Sequence, residues 1–117
     1  MRAIPAFALG GALLLAGCGA REPAPPPALA RIEQARPADA RLAQAYERSC
    51  LACHTRPESG APLTGHAAAW APRLAKGMPA LQRSVAQGLG GMPAQGLCPD
   101  CTPADVEQLI LFMSHAL

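Results

Sequence analysis

Apolar residues recur at helical spacing in three stretches of this chain, and in none do they alternate as a strand would. Leu42, Ala45, Tyr46, Ser49, Cys50 and Cys53 follow an i, i+3, i+4, i+7 pattern. It predicts one helix from near Pro37 to before Pro57, with both cysteines on its buried face. Pro79 opens a second helix, with Leu81, Val85 and Leu89 on one side and Gly88, Gly90 and Gly91 to end it. The last helix has the strongest start signal. Thr102 is a good N-cap, Pro103 sits at the first helical position and Asp105 adds negative charge in the first turn. Val106, Leu109, Ile110, Met113 and Leu117 then form a continuous apolar stripe. A short helix around His66 to Lys76, disturbed by Pro72, completes an all-α expectation.

The N-terminal part follows different rules. Arg2 gives a short basic start, and Ala3 to Ala16 is almost wholly apolar but too short for a spanning helix. Residues 1–17 are therefore expected to be a secretory signal peptide. Leu15-Ala16-Gly17-Cys18 resembles a bacterial lipobox, in which the cysteine becomes the lipidated first residue of the mature protein. The alternative is an ordinary signal peptide and a free Cys18. The lipobox implies a lipid anchor at Cys18 on the periplasmic side of a bacterial membrane. In lipoproteins an Asp after the cysteine often marks inner-membrane retention; Gly19 stands here, so inner and outer membrane both remain open. Residues 18–37 are expected to be a lipidated cysteine and a Pro-rich tether. Glu22 to Ala28 favours an extended polyproline conformation, and the whole stretch could reach on the order of 50 Å at about 3.1 Å per residue. Ala28 to Arg36 offers only Leu29 and Ile32 for burial, too little to argue a helix.

Residues 38–117 are too few to divide and form one domain with a marginal core. Its three aromatics are Tyr46, Trp70 and Phe112. A domain so small and so poor in aromatics needs a staple or a cofactor. It holds six basic and six acidic residues, which gives no case for nucleic acid as a partner and little for long-range steering by net charge.

The candidate chemistry lies in Cys50-Leu51-Ala52-Cys53-His54. This C-x-x-C-H run is the attachment signature of c-type haem: two thiols to form thioethers, and a histidine placed to ligate the iron from one face. The chain has five cysteines. With Cys18 assigned to lipid and Cys50 and Cys53 to haem, Cys98 and Cys101 remain as a pair that an exported compartment would permit to oxidise. A haem iron with one histidine needs a second axial ligand or keeps an open position. Met78, Met92, His66 and Met113 are the candidates. Met113 lies on an apolar stripe, His66 in a polar turn and Met78 at a helix start, each with an ordinary alternative. Met92 sits in a Gly-Gly-Met-Pro segment that allows close backbone approach and gives a methionine little reason to pack, so it is the favoured ligand.

From Cys50 to Leu117 the chain resembles a class I cytochrome c of the cytochrome c5 type. The matching stretches are Cys50 to His54, Gly60-Ala61-Pro62, Ala68 to Arg73, Gly77-Met78, Gly88-Leu89, Met92-Pro93 with Gly96, and Cys98 to Cys101. The resemblance implies a small fold of about four helices around one covalently bound haem c, with His54 and Met92 as axial ligands. It also implies a disulfide between Cys98 and Cys101 and electron transfer through a partly exposed haem edge. It places the Pro62 carbonyl to accept the other ring N–H of His54. The Trp70 indole and Arg73 guanidinium are suitable donors to a haem propionate, and Trp70 could equally be only a core aromatic. The chain departs from the family at Ala94, where a second proline is common, and at His66, where an acidic residue is common.

The leading expectation is a membrane-tethered electron carrier, not an enzyme, serving a respiratory donor complex and a terminal oxidase or reductase. One alternative is a bound cytochrome subunit of such an oxidase or reductase. Another, of a different class, is a four-cysteine zinc module built from the two C-x-x-C pairs. A thiol–disulfide oxidoreductase is disfavoured because the chain lacks alternating strands and helices.

Overall fold

The computed structural model describes residues 21–117. The expected signal peptide and Cys18 lie outside the described residues. Within them the architecture is all-helical: α1 (Leu29–Gln34), α2 (Ala40–Ser49), α3 (Leu51–His54), α4 (Ala67–Leu74), α5 (Met78–Gln87) and α6 (Pro103–Ser114). Short 3₁₀ turns cover Pro57–Ser59 and Ala94–Leu97. Among the described residues no helix is long and apolar enough to cross a membrane.

Helix α6 forms where the local signals placed it. The Thr102 side chain accepts from the Asp105 N–H while the Asp105 side chain accepts from the Thr102 N–H, a reciprocal cap that satisfies two orphan donors. Asp105 is buried and also takes a hydrogen bond from Arg41 on α2, which joins the first turn of α6 to its neighbour. Leu109, Ile110 and Met113 are buried, each contributing roughly 1.5–3 kcal/mol. They pack with Ala45 and Tyr46 of α2, Trp70 of α4, Leu81 of α5 and Cys98. The Phe112 ring meets Tyr46 edge-on at 5.0 Å between centroids.

Several expectations need correction. The single helix from Pro37 to Pro57 is two: Cys50, with φ −108°, breaks it between α2 and α3 while its N–H still bonds the Tyr46 carbonyl. Cys50 is half-buried and Cys53 exposed. Helix α5 ends before Leu89, which is 65% exposed. Helix α6 ends before Leu117, whose side chain instead covers Gly65; a Cβ there would lie 2.4 Å from it. Pro72 is tolerated inside α4 on an exposed face.

The largest correction concerns the tether. Its C-terminal part is helical and docked. Residues 29–34 form α1, whose Ile32 is 0% exposed. One buried isoleucine is not the whole cause. Arg36 donates to the Glu33 and Ala35 carbonyls at 2.7 and 2.8 Å, closing the end of α1, and pairs with Glu47 of α2.

Candidate haem site

The site is assembled on α3 and the loop that follows it. Helix α3 carries Cys53 and His54, with Cys50 at its N-terminal boundary, and the His54 N–H bonds the Cys50 carbonyl at 3.0 Å. Cys50 and Cys53 are free thiols. Burial pushes the Cys50 thiol up to about 11, with Cys53 adding to the shift, so Cys50 is a neutral thiol at physiological pH.

His54 is buried, and its surroundings orient it closely. Nδ1 lies 2.8 Å from the Pro62 carbonyl. A carbonyl can only accept, so Nδ1 carries the proton and Nε2 keeps its lone pair. No described residue hydrogen-bonds Nε2. Burial pushes the imidazole below its ordinary value, the positive charge of Arg73 adds to this, and the Pro62 hydrogen bond opposes it. The ring therefore stays neutral, the form a metal requires. The Thr64 N–H closes the loop onto the His54 carbonyl at 2.8 Å, and the Thr64 hydroxyl meets Tyr46 Oη at 2.9 Å, both residues being fully buried. Nothing in the sequence pattern pointed to this Tyr46–Thr64 pair.

Trp70 stacks on His54 at 5.6 Å between centroids and 22° between planes. Its indole N–H donates to the Leu63 carbonyl at 2.9 Å. The indole donor thus has a partner within the protein. Arg73 donates to the Ala69 carbonyl one turn back on α4 and lines a groove beside Pro62. The structure thus places Trp70 against the imidazole and Arg73 on the rim of the groove.

Met92 lies across the molecule's second loop. Leu89 and Met92 exchange both backbone hydrogen bonds, each 3.0 Å, around a Gly90-Gly91 turn. The segment then passes directly over Gly88, where φ is +82° and a Cβ would stand 2.8 Å from the Met92 carbonyl and 3.0 Å from the Ala94 nitrogen. Gly88 therefore serves the approach of chain to chain. The following turn holds Gln95 and Leu97 at φ 60°, a left-handed conformation that ordinary residues adopt at a cost. It is secured from α2 by Ser49 Oγ, which donates to the Leu97 carbonyl at 3.0 Å. Met92 itself is half-buried and lies outside the hydrophobic core. A small apolar cavity of about 30 Å³ brings Cys50, Val85, Gly96, Cys98 and Met113 together.

Cys98 and Cys101 form a disulfide, with Cα atoms 5.3 Å apart. This removes two of the four thiolates a zinc module needs, so that alternative fails. The remaining set of two free thiols, one neutral imidazole with its Nε2 available and an apolar lining fits a covalently attached haem.

Comparison with known proteins decides the family. A family model described as "Cytochrome C oxidase, cbb3-type, subunit III" matches residues 37–113. Cytochrome c-555 of Chlorobaculum thiosulfatiphilum is 40% identical over 72 residues, covering 58% of this chain and 84% of that protein. Cytochrome c5 of Ectopseudomonas mendocina is 34% identical over 69 residues, covering 57% and 79%. The chain belongs to the class I monohaem cytochromes c. A solved structure titled as an electron transfer complex of nitrite reductase with cytochrome c aligns with a TM-score of 0.56 at 33% identity. It covers 65% of this cytochrome and 93% of the aligned chain. The cytochrome carries haem c and is an electron carrier, not an enzyme, working with redox partner proteins.

Proposed function

We propose that this cytochrome works from a membrane. Cys18 carries a lipid, Cys50 and Cys53 hold the haem, and His54 and Met92 are the axial ligands. Electrons then pass between a respiratory donor complex and a terminal oxidase or reductase on the periplasmic side. The observation that carries the redox part is His54: it directly follows Cys53, its Nδ1–H is committed to Pro62, and its Nε2 is uncommitted. The choice of Met92 is supported by where the other candidates lie. Met113 is core, Met78 packs against the core, and His66 Nε2 meets the Ala24 carbonyl. When bound, the haem supplies a one-electron couple, and a methionine ligand favours its ferrous state. With residues 24–36 on the domain, only residues 18–23 separate it from the lipid, roughly 20 Å if extended at about 3.1 Å per residue.

Holoprotein from a c-type maturation system should resist acid–acetone extraction and show the weak far-red sulfur-to-ferric-iron band. Met92→Ala should abolish that band, lower the midpoint potential and admit carbon monoxide, while Met78→Ala should not. If Met78→Ala alone loses the band, the ligand is Met78. For the anchor, wild-type protein should leave membranes with detergent and not with salt, and Cys18→Ser should release it. A soluble wild-type protein would refute the lipid.

A second reading, a permanently bound oxidase or reductase subunit, is favoured by the description of the matching family model. Detergent-solubilised purification distinguishes the two: a carrier emerges alone, a subunit in complex.

A further inference from the structure

Residues 24–36 touch the domain at both ends. The Ala24 carbonyl lies 3.3 Å from His66 Nε2. Pro26 forms one wall of a groove of about 310 Å³ whose other walls include Pro62, Leu63, His66 and Arg73. Ile32 is wholly buried. Arg36 pairs with Glu47 and holds its guanidinium 6.0 Å from the centre of the Tyr46 ring.

These contacts converge on a single loop. Residues 62–64 are the segment that orients the imidazole: Pro62 accepts from Nδ1, Leu63 accepts from the Trp70 indole stacked on the ring, and the Thr64 N–H holds the His54 carbonyl. The N-terminal segment reaches this loop by two routes. Ala24 bonds His66, two residues beyond the loop, and Pro26 lines the same groove as Pro62 and Leu63. Arg36 reaches it through Tyr46, whose hydroxyl bonds Thr64.

We infer that residues 24–36 are a strap that positions the His54 ligand, with Ile32 and Arg36 as its positioning residues. The inference rests on His54 being the axial ligand. An irregular loop held by a few hydrogen bonds opens locally at low free energy, and a second layer of chain over its outer side suppresses that opening. Loosening the loop weakens the Pro62 hydrogen bond to Nδ1, and an imidazole without that acceptor is a weaker donor to iron. The strap therefore acts on the redox centre through the loop, without touching it. The family match begins at residue 37, so the strap lies outside it.

The test uses full-length holoprotein carrying Ile32→Asp, with Ile32→Val as the conservative variant. Ile32→Asp should expose the strap to trypsin at Arg31. It should speed exchange of the Thr64 amide and of the His54 Nδ1–H by about tenfold or more, while the Leu109 and Ile110 amides keep their rates. The midpoint potential should rise, and Ile32→Val should restore wild-type values. Arg36→Ala should act in the same direction and carries the test if Ile32→Asp does not fold. A strap that trypsin cuts freely, with both exchange rates and the potential unchanged, overturns the inference. Faster Thr64 exchange with an unmoved potential overturns the link to iron, and the fault then lies with the His54 assignment rather than with the strap.

Discussion

The two C-x-x-C segments of this cytochrome share a spacing and end in opposite chemical states. Cys50 and Cys53 are free thiols on a helical backbone, one half-buried and the other exposed. Cys98 and Cys101 are bonded to each other across a turn closed by the Cys101 N–H on the Cys98 carbonyl at 3.0 Å. The backbone makes the difference. Residues i and i+3 of a helix hold their Cβ atoms roughly 5–6 Å apart, beyond the 3.5–4.5 Å a disulfide needs. Cys98 leaves the helical region, with φ −122° and ψ 70°, and lets its partner approach. A spacing alone thus specifies no chemistry. The conformation it is placed in decides whether two thiols meet each other or wait for a third group. The two pairs are also neighbours: Cys50, Cys98 and Cys101 line the same small cavity, and Arg48 on α2 pairs with Asp100 inside the second turn.

The largest effect should come from the first pair. Replacing both Cys50 and Cys53 with Ala should abolish covalent haem, read as a Soret band wholly extractable into acid–acetone, and Cys50→Ser alone should leave at most one thioether. If the double variant kept inextractable haem, the division of labour between the pairs would be wrong. A smaller effect is expected at the second pair. Cys98→Ala with Cys101→Ala should leave haem attachment intact and lower unfolding stability by about 2 kcal/mol, the loop-entropy contribution of so short a ring. Denaturant unfolding of the holoprotein measures this, and loss of attached haem in that variant would blur the comparison.

The smallest effect separates the disulfide from the helix start that follows it. Arg41 beside Asp105, together with the Thr102 amide and hydroxyl, holds the Asp105 carboxyl well below the usual carboxylate range. A folded-state value below the unfolded one means stability that is present above about pH 4 and lost as pH falls further. Stability should therefore decline below about pH 4, and Asp105→Asn should flatten that decline while leaving the disulfide oxidised. An unchanged acid profile in Asp105→Asn would assign the acid sensitivity to other carboxylates.

What the sequence determined by itself was whatever depends on residues close together in the chain. The start of α6 was legible because Thr102, Pro103 and Asp105 act on one another within a single turn. Haem attachment was legible because the thioether and ligand chemistry requires adjacent residues in a set order. The irregular course of the Met92 loop was legible from Gly90 and Gly91, which form its turn. Only the tertiary structure decided features that depend on contacts across the chain. The strap docks because Ile32 finds a buried place and Arg36 finds Glu47 and Tyr46, contacts that no hydrophobic period in a proline-rich stretch announces. Trp70 gives its N–H to Leu63 because the loop brings that carbonyl beside the indole. The helix is interrupted at Cys50, where the i, i+3, i+4 pattern continues without interruption. A periodic pattern reports which residues could share a face. It does not report where tertiary contacts interrupt the helix that would place them there.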